Sequence, residues 1–179
     1  MKKIALASVL ALVAIGAQAQ TYGELGYTSM TFKETKDGNA IKVSPSAIRG
    51  ILGYELNPNL ALEGMAAFGI GDATFKIGGE SLSGFKLKVD NIFGVYLKPK
   101  MKLNDAIEIF GRVGYARLKG TLTFTGLGSE SASDNGFSYG AGLNYAIDSK
   151  TSLNVDYMQY LNKDGVKFNG FTFGAGYKF

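Results

Sequence analysis

The 179-residue chain contains no cysteine, no histidine, no tryptophan and only three prolines. Without cysteine there is no disulfide framework, no thiol chemistry and no lipid-attachment cysteine. Without histidine the commonest general base is missing, and with it the mechanisms in which an imidazole activates a hydroxyl or water. Beyond its first residues the chain has no apolar run of the ~20 residues that a spanning helix needs. An excess of one charge is lacking too. The 19 basic residues face 15 acidic ones, and with Lys2 and Lys3 set aside the surplus is about two, too small to point to nucleic acid. Ser81, Ser83 and Lys86 lie close enough to suggest a Ser-Lys pair, but they read better as a hydroxyl-rich loop beside an interior lysine. The stretch "GIGDATFKIGG" is no phosphate cradle, because no helix follows to supply an N-terminal anion site.

What is present begins with a leader. Lys2 and Lys3 precede an apolar and small-residue run from Ile4 to Ile15, followed by "AQA" at Ala17 to Ala19. A basic start, a short apolar stretch and a small-residue cleavage site predict a secretory signal peptide over residues 1–19 and a single domain over 20–179. The 25 glycines stand beside a 46% hydrophobic share, so glycine belongs to structured elements and not to a disordered tail.

Period-2 alternation recurs along the remainder and helical spacing does not, which predicts an all-β fold. The pattern marks eight strands, at 21–32, 43–56, 60–72, 85–97, 106–118, 136–147, 151–161 and 166–179. Each suffices for a tilted membrane strand of about 9–11 residues. The connections at 57–59, 98–105 and 148–150 are mostly short. Those at 33–42, 73–84 and 119–135 are long, and the fourth on that side, 162–165, is short. Short turns on one rim and long loops on the other are the asymmetry of an up-and-down outer-membrane β-barrel.

Alternation gives every strand one apolar face. It holds Ile48, Leu52, Tyr54 and Leu56, then Leu60, Leu62, Phe68 and Ile70, then Phe85, Leu87, Val89, Phe93, Val95 and Leu97. Ile107, Ile109, Val113, Tyr115, Phe137, Tyr139, Leu143, Tyr145, Ile147, Leu153, Val155, Tyr157 and Leu161 continue it. The other face carries Glu24, Arg49, Glu55, Glu63, Lys86, Lys88, Asp90, Glu108, Arg112, Asp156 and Lys178 among small residues. Large residues on one side and small ones on the other suit a barrel whose narrow interior is filled by side chains. The charged set is therefore expected to form a lumen network. Glu108 and Arg112 lie roughly 13 Å apart along one strand at about 3.3 Å per residue, so their partners must come from other strands.

The last strand, "FTFGAGYKF", alternates aromatic residues and ends in Phe, and the sixth contains "YGAGLNYAI". In these features the sequence resembles the small eight-stranded outer-membrane barrels of Gram-negative bacteria, the OmpA/OmpX and opacity-type porin-like superfamily. The resemblance implies an antiparallel eight-stranded transmembrane barrel with periplasmic termini, inserted by the barrel-assembly machinery. That machinery would read Phe171, Phe173, Tyr177 and Phe179 as the assembly signal. The chain departs from the pattern in lacking Trp for its girdles, and no peptidoglycan-binding domain follows the barrel. Barrel enzymes of similar architecture rely on His, so no catalytic site, metal site or cofactor is expected.

The expected function is that of a non-enzymatic, monomeric anchor in the outer membrane. Its external loops would serve surface interaction or adhesion, with outer-membrane lipid, lipopolysaccharide and host or cell-surface ligands as partners. A narrow porin-like channel or small-solute transporter is the alternative. In the loop "KGTLTFTGLGSESASDN", alternation persists through Leu122 and Phe124, so these two residues are the candidate partner-binding patch on a projecting hairpin.

Overall fold

A computed structural model describes residues 21–36, 39–77, 80–124, 126, 128–163 and 166–179, with side-chain surroundings given outside 34–42 and 74–85. The strands are β1 (Thr21–Lys36), β2 (Asn39–Val43), β3 (Ser46–Asn57), β4 (Leu60–Gly69) and β5 (Ala73–Ile77). They continue as β6 (Glu80–Lys102), β7 (Ile107–Phe124), β8 (Gly128–Ala146), β9 (Thr151–Lys163) and β10 (Val166–Lys178). The eight long strands pair in the order β10-β9-β8-β7-β6-β4-β3-β1, and β10 closes on β1. The closing ladder is antiparallel and continuous from Tyr22↔Lys178 to Glu34↔Val166. Closure leaves no open sheet edge at membrane depth, the condition for an all-strand structure in lipid.

The two long connections expected at 33–42 and 73–84 are largely strand. β2 folds back on the upper part of β1, β5 folds on β6, and β2 pairs with β5. Together they continue the wall above the shorter β3 and β4. The expected loop 119–135 is likewise a hairpin, with β7 and β8 paired from Ile107↔Tyr145 to Phe124↔Gly128.

On the opposite rim the turns are tight. The Asn57 carboxamide oxygen accepts the Asn59 N–H at 2.9 Å, and the Asn104 carboxamide accepts the N–H groups of Ala106 and Ile107 at 2.9 and 2.8 Å. The turn expected at 98–105 is shorter than the sequence suggested, because Pro99 sits inside β6. The ladder to β7 skips Lys98 and Pro99 and resumes at Lys100↔Phe110 in the same register. A missing N–H is tolerated there because the strand is near its end.

Outward residues are apolar and exposed, with Leu25 at 64%, Val95 at 61% and Phe173 at 59% among the most open. The aromatics Tyr54, Phe68, Phe93, Tyr115, Tyr157, Tyr177 and Phe179 all face out. In water this surface would be an aggregation hazard; in a bilayer it is the lipid contact. Inward glycines make room for large interior side chains. A Cβ built on Gly53 would lie 2.1 Å from the Tyr22 ring. Gly53→Val is therefore expected to destabilise the folded barrel by about 1–3 kcal/mol, the usual range for overpacking, with a urea titration of the vesicle-folded protein as the measure.

Among the described residues the ladders slip at four points, two of them between Glu55 and Asn57 and between Thr74 and Lys76, and the other two change which side chains face the interior. A bulge at Asp90 shifts the β6 ladder between Val89 and Asn91, and a bulge at Tyr160 shifts β9 against β10 between Phe168 and Asn169. Above the first bulge parity reverses. Val89, assigned by alternation to the lipid face, is 2% exposed inside, while Lys86 and Lys88 point outward and are exposed. Leu161, past the second bulge, is likewise buried inside. An inserted residue turns every following side chain to the other face.

Candidate functional site

Interior positions build up in three layers. The middle layer is ionic. Arg112 on β7 reaches Glu24 on β1, four strands away around the eight-stranded wall, with Nη2 to Oε2 at 2.6 Å. Its Nε donates to Glu63 Oε2 at 2.5 Å and its Nη1 to Asp156 Oδ2 at 3.0 Å. Arg49 grips Asp156 with both terminal nitrogens, one of them at 2.8 Å to Oδ1. Lys98 Nζ lies 2.7 Å from Glu24 Oε1 and 3.1 Å from Glu63 Oε1. The Tyr22 hydroxyl donates to Glu63 Oε1 at 2.6 Å. Three cations thus face three carboxylates, all buried, and the Phe110 ring lies 4.4 Å from the Lys98 ammonium and 4.5 Å from the Arg112 guanidinium carbon. Charges taken so far from water persist only with paired and hydrogen-bonded partners.

The layer toward the tight turns is smaller. Lys100 Nζ is 2.5 Å from Glu55 Oε1 and 3.6 Å from Glu108 Oε2, and the Asn144 amide donates to Glu108 at 2.9 Å. Lys178 is exposed at this mouth. The external layer is apolar: Met30, Met65, Val89, Ile92, Met158, Tyr160 and Phe168 pack together there.

The expected charge set therefore divides. Glu24, Arg49, Glu63, Arg112 and Asp156 meet in one cluster, and Glu55 and Glu108 meet on Lys100. Lys86 does not belong to the lumen: it points outward above the bulge, 3.9 Å from Asp72. Lys88 is outside for the same reason, and Asp90, at the bulge itself, accepts the Thr121 hydroxyl at 2.7 Å. Sequence reasoning missed Lys98, Lys100 and Tyr22. Counting alternate positions forward from Tyr96 on β6 reaches both lysines, but Pro99 between them reads as a turn.

On the external side, β7 and β8 project as a hairpin with two unlike faces. Thr121 and Ser131 share a hydrogen bond of 2.8 Å, and Thr123 and Ser129 one of 3.1 Å. Arg117 and Lys119 lie on this outer face and are exposed. Leu122 faces the other way and lines an internal cavity with Leu118; Phe124 is half-buried beside it in the ladder, opposite Phe85. The expected Leu122 and Phe124 patch is thus not spread on the outer surface.

Among the described residues, the β8–β9 ladder ends at Tyr139↔Gln159, whereas β7–β8 continues to the hairpin tip. Residues 128–138 of β8 therefore have a ladder partner on one side only. Asp134 on this segment bridges to Lys163 on β9 at 3.1 Å. The Asn135 backbone N–H, and then Lys163, hold the Asp134 carboxyl below its ordinary value. A lowered carboxylate pKa stabilises the contact above the unfolded value and loses it as pH falls through the folded one. Acidification is accordingly expected to loosen this bridge, seen as faster proteolytic nicking of the hairpin, an effect small for so exposed a pair.

Residues 4–179 match the model of the outer membrane protein beta-barrel domain family. The chain is 28% identical over 173 residues to the attachment invasion locus protein of Yersinia pseudotuberculosis, covering 95% of this chain and 90% of that one. It is also 28% identical to outer membrane protein X of Escherichia coli over 180 residues, the full length of both. Among solved structures, Ail of Yersinia pestis, crystallised with the heparin analogue sucrose octasulfate, superposes with a TM-score of 0.65 at 24% identity over 89% of this chain and 98% of that one. Neisserial surface protein A gives 0.63 at 14% identity over 89% and 97%.

Proposed function

We propose, since this chain belongs to the outer membrane protein β-barrel family, that it is a non-enzymatic surface-binding protein whose closed barrel anchors an external hairpin for adhesion. The observation that carries this reading is the contrast between the two ends of the molecule. The lumen is crossed by the Arg112 pairs to Glu24, Glu63 and Asp156, which fill its section and leave the barrel as a support. The hairpin, by contrast, offers a strand edge at 128–138 and an outer face of Lys119, Thr121, Thr123, Ser129 and Ser131. An edge of this kind supplies main-chain hydrogen bonds to an extended partner segment.

The relatives named for attachment and invasion support the adhesive reading. The sulfated sugar bound to Ail directs attention to the outward cations Lys86, Lys88, Arg117 and Lys119 on β6 and β7. Arg117 stands opposite the lipid-facing Phe93 in the β6–β7 register and Lys119, Lys88 and Lys86 follow toward the hairpin tip, a row that would also meet the phosphates of lipopolysaccharide. We assign residues 1–19 as a cleaved signal peptide and the outward aromatic row Phe171, Phe173, Tyr177 and Phe179 as the feature read by the assembly machinery. The protein acts as a monomer.

Removing residues 121–133 is expected to reduce adhesion of displaying bacteria to host cells by about tenfold, equivalent to about 1.4 kcal/mol per binding event. The heat-dependent gel shift of the barrel should survive the deletion. Unchanged adhesion with an intact barrel would overturn the proposal.

A further inference from the structure

The two bulges create a chamber that the alternation pattern conceals. Above Asp90 and Tyr160 they bring Leu87, Val89 and Leu161 to the inner side, where Phe32, Leu118 and Phe168 already point. Together these side chains line a half-open cavity of about 400 Å³ at the external end of the barrel. The lining residues Val89, Leu161 and Phe168 belong to the packed layer that also holds Met30, Met158 and Tyr160, each of these three at most 1% exposed, and below that layer lies the ion cluster. The chamber is therefore blind. Among the described residues its polar side chains are Glu130, Ser133, Asp134 and Lys163, with the outward Lys88 reaching the edge of the mouth.

We propose that this chamber binds one medium-length apolar chain bearing a polar end, a single-tailed amphiphile of the size of decanoate. The volume lies within the roughly 300–1,000 Å³ of ligand pockets, which are likewise apolar with a few polar groups at one side. At about the 30 Å³ that a water occupies in the liquid, it holds around a dozen non-hydrogen atoms. An apolar cavity does not hold water well, so an apolar occupant displaces little. Charges of both signs on the rim leave the polar end at the mouth and the tail inside.

The same region supplies a way in. Among the described residues no ladder joins β8 to β9 above Tyr139↔Gln159, where only side chains, Leu161 beside Gly136 and the Asp134–Lys163 bridge, span the wall. The ladder stops where Tyr160 is the extra residue of β9 and the Gln159 side chain donates to the carbonyls of Leu161 and Phe168 at 2.8 and 3.2 Å, so the strands are held there by side chains that can part. Just below this gap, Phe137 and Tyr139 face lipid at 59% and 47% exposure. A chain dissolved in the outer leaflet thus reaches the chamber beside the membrane surface. A protein partner is disfavoured because the chamber is concave and narrow, while the hairpin edge lies outside it.

The absence of tryptophan makes the test direct. Leu122→Trp places a single reporter in the chamber wall, Phe32→Trp a second, and Phe93→Trp a control on the lipid face. The full-length barrel, folded in phosphatidylcholine vesicles and verified by its gel shift, is titrated with ω-bromodecanoate as quencher. Either chamber reporter should be quenched saturably at about one ligand per barrel and relieved by plain decanoate, while Phe93→Trp follows bilayer loading without saturation. Ala132→Phe, which fills the mouth, should weaken the saturable phase at least about tenfold, or 1.4 kcal/mol. Quenching that is unsaturable or absent at both chamber reporters, or unmoved by Ala132→Phe, overturns the proposal. Adhesion through the hairpin is measured separately and stands or falls on its own.

Discussion

Arg112→Met is expected to destabilise the folded barrel by about 3–5 kcal/mol, the cost of removing one partner from a buried charge cluster. Arg112 touches Glu24, Glu63 and Asp156 at once. Without it, Arg49 and Lys98 must hold three carboxylates between them, at a site where water cannot take over. The guanidinium also fixes geometry: its Nε and Nη groups address three carboxylates in different directions, which a lysine ammonium on a flexible stem cannot copy. Arg112→Lys is therefore expected to recover only part of the loss. Replacing the whole cluster by packed apolar residues would test a separate point, since such replacements are often neutral or stabilising. Urea unfolding in lipid vesicles, followed by the gel shift, gives the ordering: wild type above Arg112→Lys above Arg112→Met. Equal midpoints for all three would show that the cluster is slack.

Leu97→Lys comes next, with an expected cost of about 2–4 kcal/mol if residue 97 lies near the bilayer midplane, as the third of five outward positions from Phe93 to Met101 suggests. Its side chain is 44% exposed on the outer surface. Its neighbour Lys98 is 2% exposed and lies within the ion cluster. Two adjacent residues thus meet opposite solvents, and a lysine is accepted at one and rejected at the other. The same urea titration should show a lower midpoint for Leu97→Lys. If Leu97→Lys were neutral while Lys98→Leu were costly, outward residues of β6 would not be in contact with hydrocarbon.

How far alternation carries can be followed strand by strand. On β3, Ile48, Leu52 and Tyr54 face out and Arg49 faces in, as a period of two demands. On β10, Phe171, Phe173 and Tyr177 face out while Thr172 and the glycines between them face in. On β6 the same rule holds from Ile92 to Lys100 and then fails above Asp90. No residue type at Asp90 announces a bulge, because the two-to-one pairing is settled by the neighbouring strand and not by the bulged residue. Leu87, Val89, Lys86 and Lys88 were consequently all assigned to the wrong side. Pro99 misled in the other direction: a proline that commonly marks a turn lies here inside the last stretch of a strand, and it hid Lys98 and Lys100.

The sequence by itself determined the all-β class, the antiparallel meander, the lipid-facing aromatic rows and the charged character of the interior. Those follow from local periodicity, since each side chain's face depends mainly on its own strand. Only the tertiary structure decided which charges meet, because Arg112, Glu24, Glu63 and Asp156 come from four strands brought together by closure of the barrel. It also decided the apolar chamber, because a bulge is a relation between two strands: one unpaired residue turns the remainder of its strand inside out, and a single strand's pattern carries no record of the slip.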